Sequence, residues 1–245
     1  RPLRIHGRPA LAIFLVLLCL GTWSASLASA HSGAIANAYL PIYPVTIDGK
    51  WTTPNEWNDT SEILLTHISG SNMVYLRAKH DDAPICLYIL VDSIYDSSVD
   101  TGEYCVISID SRHNGFTAPQ TDDFYVYLQW DTPTTYTTAI LWGNGSAWGP
   151  VGPLPTGFQA AASTDAVNDP YTTNRHMIYE FKIPKKYSDY SHGYSLLTKI
   201  GLFVHARDTG AEDAWPNFIV GVTAVNPSTW GDLVLLNQPI PEFPA

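Results

Sequence analysis

Residues 72–130 read NMVYLRAKHDDAPICLYILVDSIYDSSVDTGEYCVISIDSRHNGFTAPQTDDFYVYLQW, and this stretch decides the fold. Four short runs rich in Val, Ile, Tyr and Phe are separated by segments rich in Asp, Ser, Gly and Asn. Branched and aromatic side chains suit a pleated, half-buried surface, and the separators suit turns. Val74, Leu76 and Ala78 alternate with Tyr75, Arg77 and Lys79, which predicts a strand with one wet face. Residues 85–91 are apolar almost throughout, so that strand is expected centrally, covered on both sides. Asp92, Asp110, Asp122 and Asp123 stand where strands end, which predicts one acidic rim.

Strand grammar continues outward. Residues 124–130 and 136–142 flank a predicted five-residue hairpin connection, Asp131 to Thr135. Further strands are expected over residues 176–183, 199–206 and 230–236. Thr53-Pro54-Asn55-Glu56-Trp57 predicts one helical turn, with Glu56 in the capping-box slot. No helical period of useful length and no internal repeat appear past residue 30. Many short strands at regular spacing predict an antiparallel β-sandwich of jelly-roll type.

The N-terminus carries an address. Arg1, Arg4 and Arg8 precede an apolar run from Ala10 to Leu20, and Ala28-Ser29-Ala30 closes the segment. That pattern predicts a secretory signal over residues 1–30. A leader over residues 31–44, the sandwich over 45–237 and a Pro-rich tail over 238–245 complete the expected organisation. The 245 residues carry a formal charge of −10, and losing the signal removes three of 13 basic residues and no acid, giving −13. Such a surface repels nucleic acid and anionic lipid. Export also predicts N-glycosylation at Asn58 and Asn144, which fit the acceptor pattern; Asn226 does not, because Pro227 follows it.

Cleavage after Ala30 would expose His31, whose amine and imidazole together chelate Cu(II) when a second His completes the site. Cys19 lies in the signal, leaving Cys86 and Cys105. A hairpin centred near Tyr95 would set them opposite one another, as a cross-strand disulfide or as two buried thiols. Zinc-finger spacing is absent. So are G-x-S-x-G, H-E-x-x-H and S-x-x-K, and the expectation is a binding protein rather than an enzyme.

Two candidate sites follow from residue chemistry. Asp110, Asn114, Asp122 and Asp123 offer hard oxygens of the kind calcium takes, in a spacing unlike the EF-hand; the competing reading is a solvated rim. Trp142, Trp148 and Trp215 offer indole faces for a pyranose ring, with Arg207 and Asn217 placed to bond hydroxyls. The competing reading is partial burial.

Five segments also resemble, in order, the family-9 carbohydrate-binding modules and their DOMON-like relatives. They are IDGKWTTPNEW from Ile47, KHDDAPICLYILVDS from Lys79, ISIDSRHNGFTAPQTDDF from Ile107, HMIYEFKIPKK from His176 and NPSTWGDLVL from Asn226. The resemblance spans about residues 45–236. It implies an extracellular β-sandwich that binds sugar with structural calcium. The alternative it implies is an electron-transfer module holding haem b, here through Met177 and His205. A structural cell-envelope protein without a small ligand is the third reading. Residues 240–244, IPEFP, resemble the sorting motif of archaeal surface proteins, which implies surface attachment through a membrane segment beyond Ala245.

Overall fold

The computed structural model describes residues 31–67, 73–83, 85–188, 193–216 and 225–239. The expected signal and the IPEFP motif lie outside them. The strands are β1 (Ile35–Tyr39), β2 (Glu62–Leu64), β3 (Thr66–His67), β4 (Val74–Asp82), β5 (Ile85–Ser93), β6 (Tyr104–Asp110), β7 (Asp123–Thr132) and β8 (Thr135–Gly143). They continue as β9 (Trp148–Gly152), β10 (Gln159–Asp165), β11 (His176–Pro184), β12 (Lys186–Ser188), β13 (Gly193–Ser195), β14 (Lys199–Asp208), β15 (Ala211–Trp215) and β16 (Gly231–Leu236). One 3-10 turn, Pro227–Thr229, is the only helical element among the described residues.

One long sheet runs β10-β11-β5-β4-β1-β16-β14-β6-β7-β8-β9 and curls into two layers. β1 is the seam. It pairs in parallel with β16 over five residues and touches β4 only at Tyr39 opposite Lys79. The other pairings are antiparallel. The expected sandwich is therefore present, with a parallel seam that strand patterning does not announce. The two described strands β12 and β13 form a separate ribbon.

The core lies between the layers. Leu87, Ile89 and Val91 of β5 meet Ile107 and Ile109 of β6, Val126 and Leu128 of β7, and Val204 of β14. The unbroken apolar run of β5 has the expected cause. Its other face, Cys86, Tyr88 and Leu90, packs beneath Trp51 and Trp57 in a second cluster. The turn at residues 53–58 sets those indoles there, through the Glu56 N–H on Thr53 O and the Asn58 N–H on Asn55 O. Glu56 caps this turn differently from the expected box. Its carboxylate accepts the N–H groups of Thr52 and Thr46.

Buried Glu180 anchors the same segment, accepting from the Asp48 and Gly49 N–H groups and from Trp57 Nε1. Gly49 takes φ +76°, and a Cβ there would meet the Ala162 backbone at 2.7 Å. Only glycine fits that close crossing.

Three expectations are corrected. Cys86 and Cys105 are free thiols in different clusters. β5 has both edges occupied, by β4 and β11, so the chain crosses to the other layer instead of turning back at Tyr95. The β7–β8 connection is tighter than five residues, because Thr132 pairs with Thr135 after an irregularity at Asp131. Finally, the strand-end aspartates do not share one rim. Asp110, Asp122 and Asp123 do gather where β6 ends, but Asp92 sits apart with Asp169 and His176; the N–H of Met177, next to His176, donates to Asp96 O, and Asp96 clusters with Glu103, the residue before β6. Seven extended residues put roughly 20 Å between Glu103 and Asp110.

Candidate functional site

Two features have the character of sites: a buried acidic cluster at the β6–β7 end and an aromatic trough on the outer face of the second layer.

Asp110 and Asp123 are cross-strand partners where the β6–β7 ladder closes. With Asp122 they place three carboxylate oxygens within 4.8 Å of one another, all on buried residues. Asp110 accepts from the Gly115 N–H at 2.7 Å and the Arg112 N–H at 3.2 Å. Asp123 accepts from the Gln120 N–H at 2.7 Å. Asn114 Nδ2 donates to Asp122 Oδ2 at 3.1 Å. That leaves Asp123 Oδ1 and Asn114 Oδ1 buried without a hydrogen bond. Burial, then the Asp110 and Asp122 charges, push the Asp123 carboxyl up to about 8. Burial also acts to raise Asp110, but the His31 contact and the Gly115 N–H outweigh it and hold that carboxyl low. Orphaned oxygens among crowded carboxylates fit a hard cation; a solvated rim would not bury them. The structure thus brings together all four residues expected to hold calcium.

His31 sits next to this cluster. Its Nε2 is 3.2 Å from Asp110 Oδ2, and its Nδ1 is 2.7 Å from Asp232 Oδ1, an oxygen that also lies 2.7 Å from His113 Nε2. Both ring nitrogens face carboxylates. The second histidine that the copper expectation calls for is beside it: the His31 and His113 ring centroids are 4.2 Å apart, and with Asp232 each residue places one ligand atom within 4.8 Å of the others. Asp232 and His113 carried no signal in the sequence, since only the fold brings them to His31.

The trough forms where side chains alternate outward from β14, β6, β7 and β8. Register lines them in rows: His205, Val106, Tyr127 and Ala139 in one, Arg207, Tyr104, Gln129 and Thr137 in the next. A third row holds Phe203, Ser108, Tyr125, Leu141 and Val151. Of these, Tyr104, Val106, Tyr125, Tyr127, Gln129, Leu141, Val151 and His205 line, with Trp148 and Val225, an open concavity of about 420 Å³, while Phe203 and Ser108 are buried. Tyr125 meets Trp148 edge-on at 4.8 Å, and Trp148 stacks parallel to buried Trp230 at 6.3 Å. Tyr104 lies under the Arg207 guanidinium at 5.8 Å and edge-on to His205 at 5.2 Å. Glu212 is 3.5 Å from Arg207 Nε and 3.6 Å from His205 Nε2. Burial lowers His205, more than Glu212 raises it. These neighbours fix the rings before any ligand arrives. Flat apolar faces edged by a few polar groups suit a molecule carrying both C–H surfaces and hydroxyls.

The expected sugar-binding residues divide. Trp148 lines the trough, whereas Arg207 does not line it and stands beside it over the Tyr104 ring. Trp142 is 1% exposed, packed between Phe124 and Tyr187, and is a core residue. Trp215 is buried over Gly231, where a Cβ would come within 2.4 Å of its ring. Neither offers a face to a ligand. Asn217 lies outside the described residues. Tyr104, Tyr125, Tyr127 and Gln129 were missed, although the alternation in YCVIS, residues 104–108, and YVYLQ, residues 125–129, carried the signal.

The haem pairing is also corrected. Met177 is fully buried between the layers, whereas His205 points outward from the far layer, between core residues Val204 and Ala206. The core separates them. Asn58 and Asn144 are both exposed, though the Thr60 hydroxyl of the first acceptor is buried against Ala78 O.

Two further buried clusters were not anticipated as clusters. Asp96, Glu103 and Asp208 converge beside a cavity of about 10 Å³, enough for one water. Burial, followed by the neighbouring Asp208 charge, raises Asp96 to about 7; burial together with Asp208 and Asp96 raises Glu103 to about 8. Asp92, Asp169 and His176 form the other.

No family model matches the chain, and no curated protein matches it. Among solved structures, a family-9 carbohydrate-binding module from Caldicellulosiruptor kristjanssonii, in complex with cellotriose, superposes with a TM-score of 0.57. Identity is 14%, over 86% of this chain and 100% of that one. The same organism's family-9 module in complex with glucose gives 0.56 at 16% identity, over 85% and 100%. This chain has the fold of those modules, a β-sandwich assembled from one curled sheet.

Proposed function

We propose that this protein is a non-catalytic carbohydrate-binding module and that the trough on β14, β6, β7 and β8 is its binding face. The observation that carries the reading is the rank of Tyr104, Tyr125, Tyr127 and Trp148 turned outward across adjacent strands. An outer sheet face that only meets water has no need of four large rings held rigid by one another. In a bound state the rings would lie against the C–H faces of sugar units, while Gln129, His205 and Arg207 would bond hydroxyls. The likeness in fold to modules crystallised with cellotriose and glucose makes β-linked gluco-oligosaccharides the first ligands to test.

Calcium belongs to the same proposal as a structural ion held by Asp110, Asn114, Asp122 and Asp123, since these buried oxygens are under-satisfied without a cation. Export and surface attachment rest on the sequence patterns at residues 1–30 and 240–244.

Titration calorimetry with cellotriose and larger oligosaccharides tests the face. Tyr127→Ala and Trp148→Ala should each weaken binding about tenfold, close to 1.4 kcal/mol. Trp142→Phe should leave affinity unchanged. Folded protein that binds no member of a broad glycan panel would remove the reading in favour of a structural envelope role.

A further inference from the structure

We propose that Asp92, Asp169 and His176 form a buried binding site for a first-row divalent metal of the zinc class, separate from the calcium cluster. The three residues come from β5, from the connection between β10 and β11, and from the first position of β11. Asp92 and His176 are 0% exposed, and so is the Asp169 side chain.

The hydrogen bonds around them are arranged outside the cluster. Trp51 Nε1 donates to Asp92 Oδ2 at 3.1 Å. The N–H groups of Tyr171 and Thr172 donate to Asp169 Oδ1 at 2.7 and 3.0 Å. His176 Nδ1 lies 2.7 Å from Asn174 O, so that nitrogen carries a proton and donates it. Each residue then has one atom left over: Asp92 Oδ1, Asp169 Oδ2 and His176 Nε2. These three lie within 4.8 Å of one another. Nε2 stands 2.8 Å from the first oxygen and 3.2 Å from the second, yet neither contact has hydrogen-bond direction.

A histidine that donates one N–H to a backbone carbonyl and turns the other nitrogen toward carboxylates has the arrangement of a metal ligand with its outer partner in place. Zinc–nitrogen and zinc–oxygen bonds of about 2.0–2.2 Å would span those separations with angles of roughly 85–105°. Charge points the same way. An imidazolium between two carboxylates leaves a net −1 sealed from water, whereas a divalent ion on a neutral imidazole leaves none. An imidazole donor and few oxygens select a borderline metal over calcium. With no solvent path to the ligands, the ion would act as a staple. It would tie the β10–β11 connection and the Trp51 segment to β5.

The test refolds the full chain from denaturant with Zn(II) or with chelator, removes free metal, and measures retained zinc and Tm. About one equivalent retained per chain, and a higher Tm than the chelator sample, are expected. Co(II) supplied in its place should give a visible d–d band and quench Trp51 fluorescence. Excess Ca(II) should not displace it. Asp169→Asn should lower retention at least tenfold, whereas Asp123→Asn and His113→Ala should leave it intact; if Asp169→Asn does not fold, zinc retained by folded His113→Ala protein decides, and its loss there would overturn the site. No zinc retained by folded wild-type protein, with no cobalt band, would overturn the site and leave His176 as a protonated bridge.

Discussion

At the scale of single residues, this protein is unusual in how many acids it buries, and each has a different solution. Glu180 is satisfied entirely by donors: two backbone N–H groups and the Trp57 indole. Glu180→Ala would orphan all three, and orphaned buried donors are costly, so a loss of about 3 kcal/mol is expected in urea denaturation. Glu180→Gln should cost roughly half as much, because one oxygen remains to accept. Lys79 and Asp59 solve burial by pairing, and Asp59 also takes the Ile42 and Tyr43 N–H groups. Asp123 is left without a solution in the protein itself. If calcium is held there as proposed, it should raise the Tm of wild type, and Asp123→Asn should raise Tm in EDTA, by relieving repulsion, yet abolish that calcium effect. A variant that loses stability equally in both conditions would show that no cation is held there.

At the scale of elements, occupancy of strand edges decides what local pattern cannot. Cys86 and Cys105 sit at positions that would face each other in a hairpin, but β4 and β11 hold both edges of β5. Reductant should accordingly leave Tm unchanged. A thiol reagent should find neither cysteine in the folded protein and both after unfolding; loss of Tm on reduction would restore the bridge. The sequence of β6 and β7 alternates, and the fold turns Ile107, Ile109, Val126 and Leu128 inward. The same alternation turned Tyr104, Tyr125 and Tyr127 outward. Their grouping into one trough depended on register with β14, which lies about a hundred residues away in the chain.

For the molecule as a whole, the buried acids set how stability responds to pH. Burial holds Asp96 near 7, and Glu103 and Glu180 near 8, each far above the ordinary carboxylate value. The folded state thus binds more protons than the unfolded chain between about pH 4 and 8. Stability must fall as pH rises through that window. Asp82 and Asp232 act oppositely. Lys185 draws the first down, and Lys199, His113 and His31 outweigh burial at the second; their contribution is lost below the ordinary carboxylate range. Urea midpoints measured with calcium present should peak near pH 5 and decline toward pH 8. A midpoint that climbs steadily to neutrality would mean these acids are solvated or metal-bound.

By itself the sequence determined the all-β class, the central double-covered strand at residues 85–91, and the residues of the Asp110–Asp123 cluster. Each depends on side-chain period or on neighbours within one loop, which are short-range properties. The tertiary structure alone decided which tryptophans are core, that β1 joins the layers in parallel, and that the aspartates separate into distinct buried clusters. It alone brought His31 to Asp232, and Asp169 to Asp92. A strand's partners are chosen by competition among all available edges and by how the curled sheet closes. That free energy belongs to contacts between distant segments, and no local stretch of chain contains it.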